Sequence, residues 1–432
     1  MTSDMTSDAT GGNGGASTSV HDADSAQQVD HLRHDPSRGA TPVFAVLDPL
    51  RAVGAFAVVL THVTFWTGDY FRHGIVGRML PRLDVGVAVF FVLSGFLLTH
   101  QVLAGASRGR PHDSTRRYYW KRFLRIYPLY VIGVVPALLF VGANAGAGVG
   151  EWVSALTLSD IYVSDSLRPG MTQMWSLATE VSFYVVLPLL MLLAGATRGR
   201  RPTTRRVALL VAGLVLVNVV WTLVLHDRVR DAGVALAAQW LPGYLLWFAA
   251  GIALAWAHVL TTRPGGTPRL GWLIALAQQP GVCWALAVSL LVVASTPLAG
   301  PMLFDTPTPA EALTRQVLYA LIGGLLVLTG VFPDERSGYA RVMSRRLPRR
   351  LGHISYGVFC LHLVVLHLVY WATPYTMFEG SDLLPVLGLT LLITVPLAEL
   401  LYRFVELPAT RLRHLGSATA RKTPPRATTL NS

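Results

Sequence analysis

The sequence predicts an all-α integral membrane protein, a bundle of about ten transmembrane helices with both termini on the cytoplasmic side. Three observations predict it. Apolar residues make up 52% of the 432-residue chain and charged residues only 14%, which is too apolar for an ordinary soluble domain. The apolar residues gather into stretches near the ~20 residues a helix needs to cross a hydrocarbon core. Basic residues sit in short clusters between those stretches, biased to one side, as membrane proteins fix their topology.

Residues 1–42 are rich in Gly, Ser, Thr, Asp and His and are expected to form a disordered tail, since they bury too little apolar surface to order themselves. Residues 43–408 are read as the membrane domain and 409–432 as a second, basic tail. The predicted spans cover 45–66, 85–104, 124–142, 174–195, 207–225, 235–258, 280–298, 315–332, 353–371 and 384–404. The stretch 149–163, beginning near Glu151-Trp152, is too short for a span and is expected to be interfacial or re-entrant. No loop is long enough to fold alone, so the chemistry is expected among the helices.

Orientation follows from the 36 Lys and Arg residues. With the N-terminus cytoplasmic, only Arg72, Arg78, Arg82, Arg168, Arg228 and Arg230 fall in external loops. Arg51, Arg125, Arg315 and Arg403 fall within spans, and all the others are cytoplasmic, chiefly in clusters at 108–122, 198–206 and 336–350. One miscounted span would place clusters on both sides. The net charge of +12 therefore reflects topology, and no nucleic-acid partner is expected. Cys283 and Cys360 both lie in apolar segments, so neither a disulfide framework nor a thiolate metal site is expected.

Polar side chains at bilayer depth are costly and usually face a cavity. Arg51 and His62 share the first span, and eleven residues at about 100° each return them to nearly one face, so both are expected to line one cavity. The plainer alternative is a snorkelling arginine and a histidine that packs helices. Ser176, Glu180 and Tyr184 are spaced i, i+4, i+8 and share a face of the fourth span. Glu180 needs a partner across the bundle, with His62 or an arginine as candidates. Glu399 and Arg403 are expected to pair at i, i+4.

The motifs in order are Arg51-x10-His62, Phe90-Phe91-Val92-Leu93-Ser94-Gly95, Arg122-x2-Arg125-Ile126-x-Pro128, Trp175-Ser176-Leu177-x2-Glu180, Ser355-Tyr356-Gly357-x4-His362 and Val405-Glu406-Leu407-Pro408. Together they resemble the membrane acyltransferase-3 family over residues 45 to about 408. The resemblance implies a ten-helix fold with a cytoplasmic coenzyme A entrance, transfer of an acyl group from acyl-coenzyme A to a carbohydrate or natural-product hydroxyl, and His62 as the catalytic residue. Acetyl is the acyl group by this analogy. Ala88 stands where the family often has aspartate, with Asp84 the nearest acid upstream, so any role of that aspartate is in doubt here.

The residue types suit that chemistry. Histidine is the side chain best placed to take a hydroxyl proton near neutral pH, so His62 is expected to act as base in direct transfer, with a transient acyl-histidine as the other route. Glu180 is a candidate to set its tautomer, or else a structural partner of an arginine. Arg122 and Arg125 suit the phosphates of the coenzyme, and Arg51 either meets the same ligand or orients a carboxylate such as Asp48. Lys121 reads as a topological anchor. Ser94, Ser176, Tyr184, Ser355 and His362 are expected to line the cavity, His362 mainly through helix–helix hydrogen bonding, while His367 should face elsewhere. Trp175 reads as an interfacial anchor. The partners expected are a bacterial cell membrane, acyl-coenzyme A and a carbohydrate or glycosylated acceptor, without a metal. The alternative function is a proton-coupled transporter of an anion, lipid-linked sugar or natural product, against which stand the motif set and the lack of evident repeats.

Overall fold

A computed structural model of the chain describes residues 44–110, 113–197, 200–263, 268–302, 305–380 and 382–414. The tails expected at 1–42 and 415–432 lie outside the described residues. Residues 409–414, expected in the tail, continue as the short helix Leu407–Arg411 and the turn Leu412–His414.

The described residues are helical throughout, in ten main helices: α1 (Leu47–Thr67), α2 (Gly86–Ser107), α3 (Thr115–Phe140), α4 (Met174–Leu193), α5 (Thr204–Val220), α6 (Leu245–Thr261), α7 (Pro280–Ala294), α8 (Pro309–Val331), α9 (Arg346–Ala372) and α10 (Leu383–Leu401). Among the described residues, nine helices are individually long and apolar enough to cross a membrane. The exception is α7, a 15-residue helix that meets the helix Gly271–Ala277 at an 84° bend, and the pair makes a tenth span only when counted as one. Pro280 opens α7 at the break, where its missing N–H leaves no helical bond unmade. Helix α6 also starts later than predicted, after the tight turn Leu241–Tyr244, for the same reason at Pro242. The stretch at 149–163 forms the short helices Val149–Leu156 and Asp160–Val163, neither able to span. There the exposed Glu151 carboxyl is held below its usual range by the Gly148 backbone N–H and by Arg168.

Interior prolines leave carbonyls that must find other donors where water is excluded. Pro188 of α4 has no N–H for Tyr184 O, and the Tyr118 hydroxyl donates to that carbonyl instead (3.2 Å). Tyr119 serves Val185 O likewise (2.8 Å). These bonds tie the basic N-terminal end of α3 to α4.

The most extensive helix pairings are α2 with α6 and α1 with α9. Close approach of α2 and α6 depends on two facing glycines. A Cβ on Gly251 would lie 2.2 Å from Val92 O, and one on Gly95 would lie 2.4 Å from Phe248 O. Beside them Phe91, Phe248 and Phe183 stack, with centroids 4.6 and 4.0 Å apart. Gly251→Leu should therefore force the helices apart and lower stability by more than about 3 kcal/mol. Thermal unfolding in detergent reads this out as a large drop in Tm or loss of folded protein. Pairing of α1 with α9 sets residues distant in sequence, around 62 and 362, against each other.

Candidate active site

His62 lies in the last third of α1 and faces α9. Its Nδ1 is 2.9 Å from Val58 O and 3.2 Å from Nε2 of His362. On α9, His362 Nδ1 is 2.8 Å from Phe359 O and 3.1 Å from Val358 O. Carbonyls only accept, so this network assigns the neutral tautomers. His362 Nδ1–H donates to its own helix, leaving its Nε2 as an acceptor. His62 Nδ1–H then donates to Val58 O and His362 Nε2, and the lone pair of His62 Nε2 is left available. His362 is fully buried, whereas His62 keeps some accessible surface. A histidine fixed with a free Nε2 can take a proton from a hydroxyl.

Two cavities lie toward opposite ends of the bundle. The first, about 210 Å³, contains Arg51, Ser94, Arg122, Arg125, Glu180 and Tyr184, together with Ser176 and Ser355. Arg51 donates to Asp48 Oδ1 (3.1 Å), while Asp48 Oδ2 faces His353 (3.4 Å) and Arg349 (3.7 Å). Thus the start of α1 is fastened to α9. The guanidinium of Arg122 lies over the rings of Tyr118 (5.8 Å) and Tyr184 (6.0 Å), and its Nε is buried without a hydrogen-bond partner. Arg125, one turn further into α3, is exposed and lines the same cavity. Ser176 and Ser355 donate to Gln173 O (3.1 Å) and Gly352 O (2.8 Å) in their own helices, so their oxygens remain as acceptors.

Glu180, Ser176 and Tyr184 do share one wall. The partners of Glu180 are the Ser94 and Tyr184 hydroxyls, both donating to Oε1, the latter at 2.6 Å. It does not hydrogen-bond His62, whose partner across the bundle is His362 instead. Nor do Arg51 and His62 share a cavity, although they sit on one helix. Phe359 is the residue that lines both cavities.

The second cavity, about 310 Å³, contains His62, Arg82, Asp84, Gln173, Trp175 and Arg315, with Phe359 in its wall. Trp175, expected to be an interfacial anchor, is cavity lining. Asp84 accepts from the Tyr319 hydroxyl. The Gln173 amide donates to Phe359 O (3.3 Å) and Cys360 O (3.2 Å), bridging α4 to α9. Sequence reasoning does not single out Asp84, Gln173, Arg315 or Phe359 as site residues. Arg315 carries a signal as a cation within a span, but neither its cavity nor its neighbours can be read from spacing.

A protein-family model described as an acyltransferase domain matches residues 44–403. The chain belongs to the acyltransferase-3 family. It is 23% identical to the peptidoglycan O-acetyltransferase OatA of Listeria monocytogenes over 84% of this chain and 55% of that protein. It is 24% identical to nodulation protein 10 of Rhizobium leguminosarum over 85% of this chain and 93% of that protein. Over a shorter stretch, 33% of this chain and 38% of the relative, it is 30% identical to acyltransferase MdmB of Streptomyces mycarofaciens. The chain spans about half the length of the peptidoglycan O-acetyltransferase it matches. No solved structure matches.

His362, expected to line the cavity, is fully buried and lines neither, and the other expected side chains of this acyltransferase-3 chain also fall outside both cavities. Lys121 pairs with Asp113. Glu399 holds Arg403 at 2.5 Å and also Arg350, which reaches its second oxygen at 2.7 Å. His367 packs edge-on against Trp66, centroids 4.4 Å apart, facing away from His362. Cys283 and Cys360 are free and buried. Among the described residues no group of three or more His, Cys, Asp or Glu is placed to hold a metal ion.

Proposed function

We propose that the protein is a multi-pass O-acyltransferase of a bacterial cell membrane that moves an acyl group, acetyl by family analogy, from acyl-coenzyme A to a carbohydrate hydroxyl. In this reading both termini and the arginine cavity face the cytoplasm, and the His62 cavity faces the opposite side. The observation that carries it is the His62–His362 pair, with a free Nε2 in a cavity that has Phe359 in common with a three-arginine cavity.

The arginine cavity fits a polyanionic donor. Arg122 has a buried Nε–H without a partner, and Arg125 has no ion pair or hydrogen bond among the described residues. Guanidinium forks in that state suit phosphate oxygens. In the reaction, His62 Nε2 takes the acceptor's hydroxyl proton as that oxygen attacks the thioester carbon. The carbon–sulfur bond breaks, and the leaving thiolate recovers the proton from His62. His362 orients the imidazole and touches no substrate, which makes it a positioning residue.

The first test is acyl-coenzyme A consumption by purified protein in detergent, with an extract of the native host as acceptor source. Thioester loss that requires the extract and vanishes in His62→Ala supports the reading. Absence of both consumption and acyl-coenzyme A binding would favour a transporter. Phe359 gives a second check. If its ring keeps water of the second cavity from the donor, Phe359→Ala should raise acceptor-independent thioester hydrolysis several-fold, to a rate of about tenfold at most. An unchanged hydrolysis rate would mean that Phe359 is no barrier.

A further inference from the structure

The charged groups of the second cavity do not balance. Its charged lining consists of Arg82, Arg315 and Asp84, two cations against one carboxylate. Arg82 is committed to structure: its Nη2 faces the carbonyls of Ala299 (3.4 Å), Gly300 (2.6 Å) and Pro301 (3.3 Å), clasping that turn. Neutral carbonyls serve Nη2 but leave its charge standing, and its buried Nε–H has no partner. Asp84 is partly engaged by Tyr319. Arg315, near the start of α8, makes no direct hydrogen bond or ion pair among the described residues and interacts with the Asp84 carboxylate only through the cavity they share. One carboxylate shared between two guanidiniums leaves net positive charge in the cavity, which is unfavourable at bilayer depth, and a ligand bearing negative charge offsets it.

Other lining groups indicate what else that ligand carries. Gln173 is 2% exposed, and its Oε1 is buried without a partner while its amide bridges to α9. An orphaned acceptor there calls for a hydroxyl donor. The indole of Trp175 forms part of the wall and offers the amphipathic surface on which a sugar ring packs its C–H face. The volume of about 310 Å³ lies at the small end of ligand pockets, roughly 300–1,000 Å³, which suits one or two sugar rings.

We infer that the acceptor bound beside His62 is an acidic sugar, with a hydroxyl at His62 and a carboxylate or phosphate paired with Arg315. This rests on the acyltransferase reading for the role of His62, but the preference for an anion stands on Arg82, Asp84, Gln173 and Arg315 alone. It makes Arg315 a specificity residue and separates two anion sites on one protein: coenzyme phosphates at Arg122 and Arg125, acceptor acid at Arg315.

Binding tests the inference without turnover. Purified full-length protein in detergent is titrated calorimetrically with methyl β-glucuronide, glucose 6-phosphate, methyl β-glucoside and inorganic phosphate. The expected result is that at least one acidic sugar binds about tenfold or more tighter than both the neutral glucoside and inorganic phosphate. The order of the two acidic sugars tells carboxylate from phosphate. Arg315→Gln should remove that advantage, Arg315→Lys should keep part of it, and both variants should bind acyl-coenzyme A like wild type, which shows they are folded. Equal affinity for neutral and acidic sugars overturns the inference, as does an advantage that survives Arg315→Gln, phosphate alone binding as tightly as the sugar acids, or no binding by any probe. Failure here would leave acyl-coenzyme A consumption intact, whereas failure of the acyltransferase reading would abolish that consumption and leave the anion preference.

Discussion

His62→Ala is expected to lower acyl transfer by roughly 10²- to 10⁴-fold, the usual contribution of a positioned general base, while leaving affinity for acyl-coenzyme A near wild type. The two effects separate because His62 lines the second cavity and the arginines line the first. His362→Ala should do less. Val58 O still receives His62 Nδ1–H at 2.9 Å, so the tautomer survives and only one neutral hydrogen bond is lost, a loss of about tenfold in kcat. His362→Gln, whose amide oxygen can accept the same hydrogen, should recover part of it. A structural role for His362 would instead reduce folded protein without altering the pH profile of kcat. Steady-state kinetics of the three variants, with the pH dependence of kcat, distinguish these cases.

The second large effect is expected at the donor cavity. Arg122→Gln and Arg125→Gln should each raise KM for acyl-coenzyme A by roughly tenfold to a hundredfold, since hydrogen bonds to a charged group contribute about 1.5–3 kcal/mol. kcat should change much less, because neither residue contacts the His62 pair. Arg125→Lys should recover charge but not the planar fork, and so only part of the affinity. Wild-type KM should also rise with salt, and the rise should flatten in the double variant. A fall in kcat at unchanged KM would place these arginines in the chemical step instead.

Much of this organisation is legible in the amino-acid sequence. Span length and basic clusters point to the helical bundle, and motif spacing points to the shared face of Ser176, Glu180 and Tyr184. Pairing across the bundle is not legible there. His62 meets His362 through the packing of α1 on α9, and no local period connects positions so far apart. Glu180 meets Ser94 and Tyr184, both cavity candidates in their own right, yet nothing in their spacing excludes His62. The split into two cavities is equally hidden, because Phe359 reads as one more apolar residue of α9 until its neighbours are known. Pro280 and Pro242, by contrast, are visible signals for the broken α7 and the late start of α6. Their effect depends on a proline's missing N–H, which periodicity of apolar residues does not weigh.

The central claim is that donor and acceptor meet from opposite sides of the bundle at His62. The most direct test seals radiolabelled acyl-coenzyme A inside proteoliposomes of uniformly oriented protein, arginine cavity inward, with the acceptor added outside only. The expected result is label on the external acceptor, absent in His62→Ala vesicles of equal protein content. Transfer only when donor and acceptor share one compartment would contradict the two-sided site.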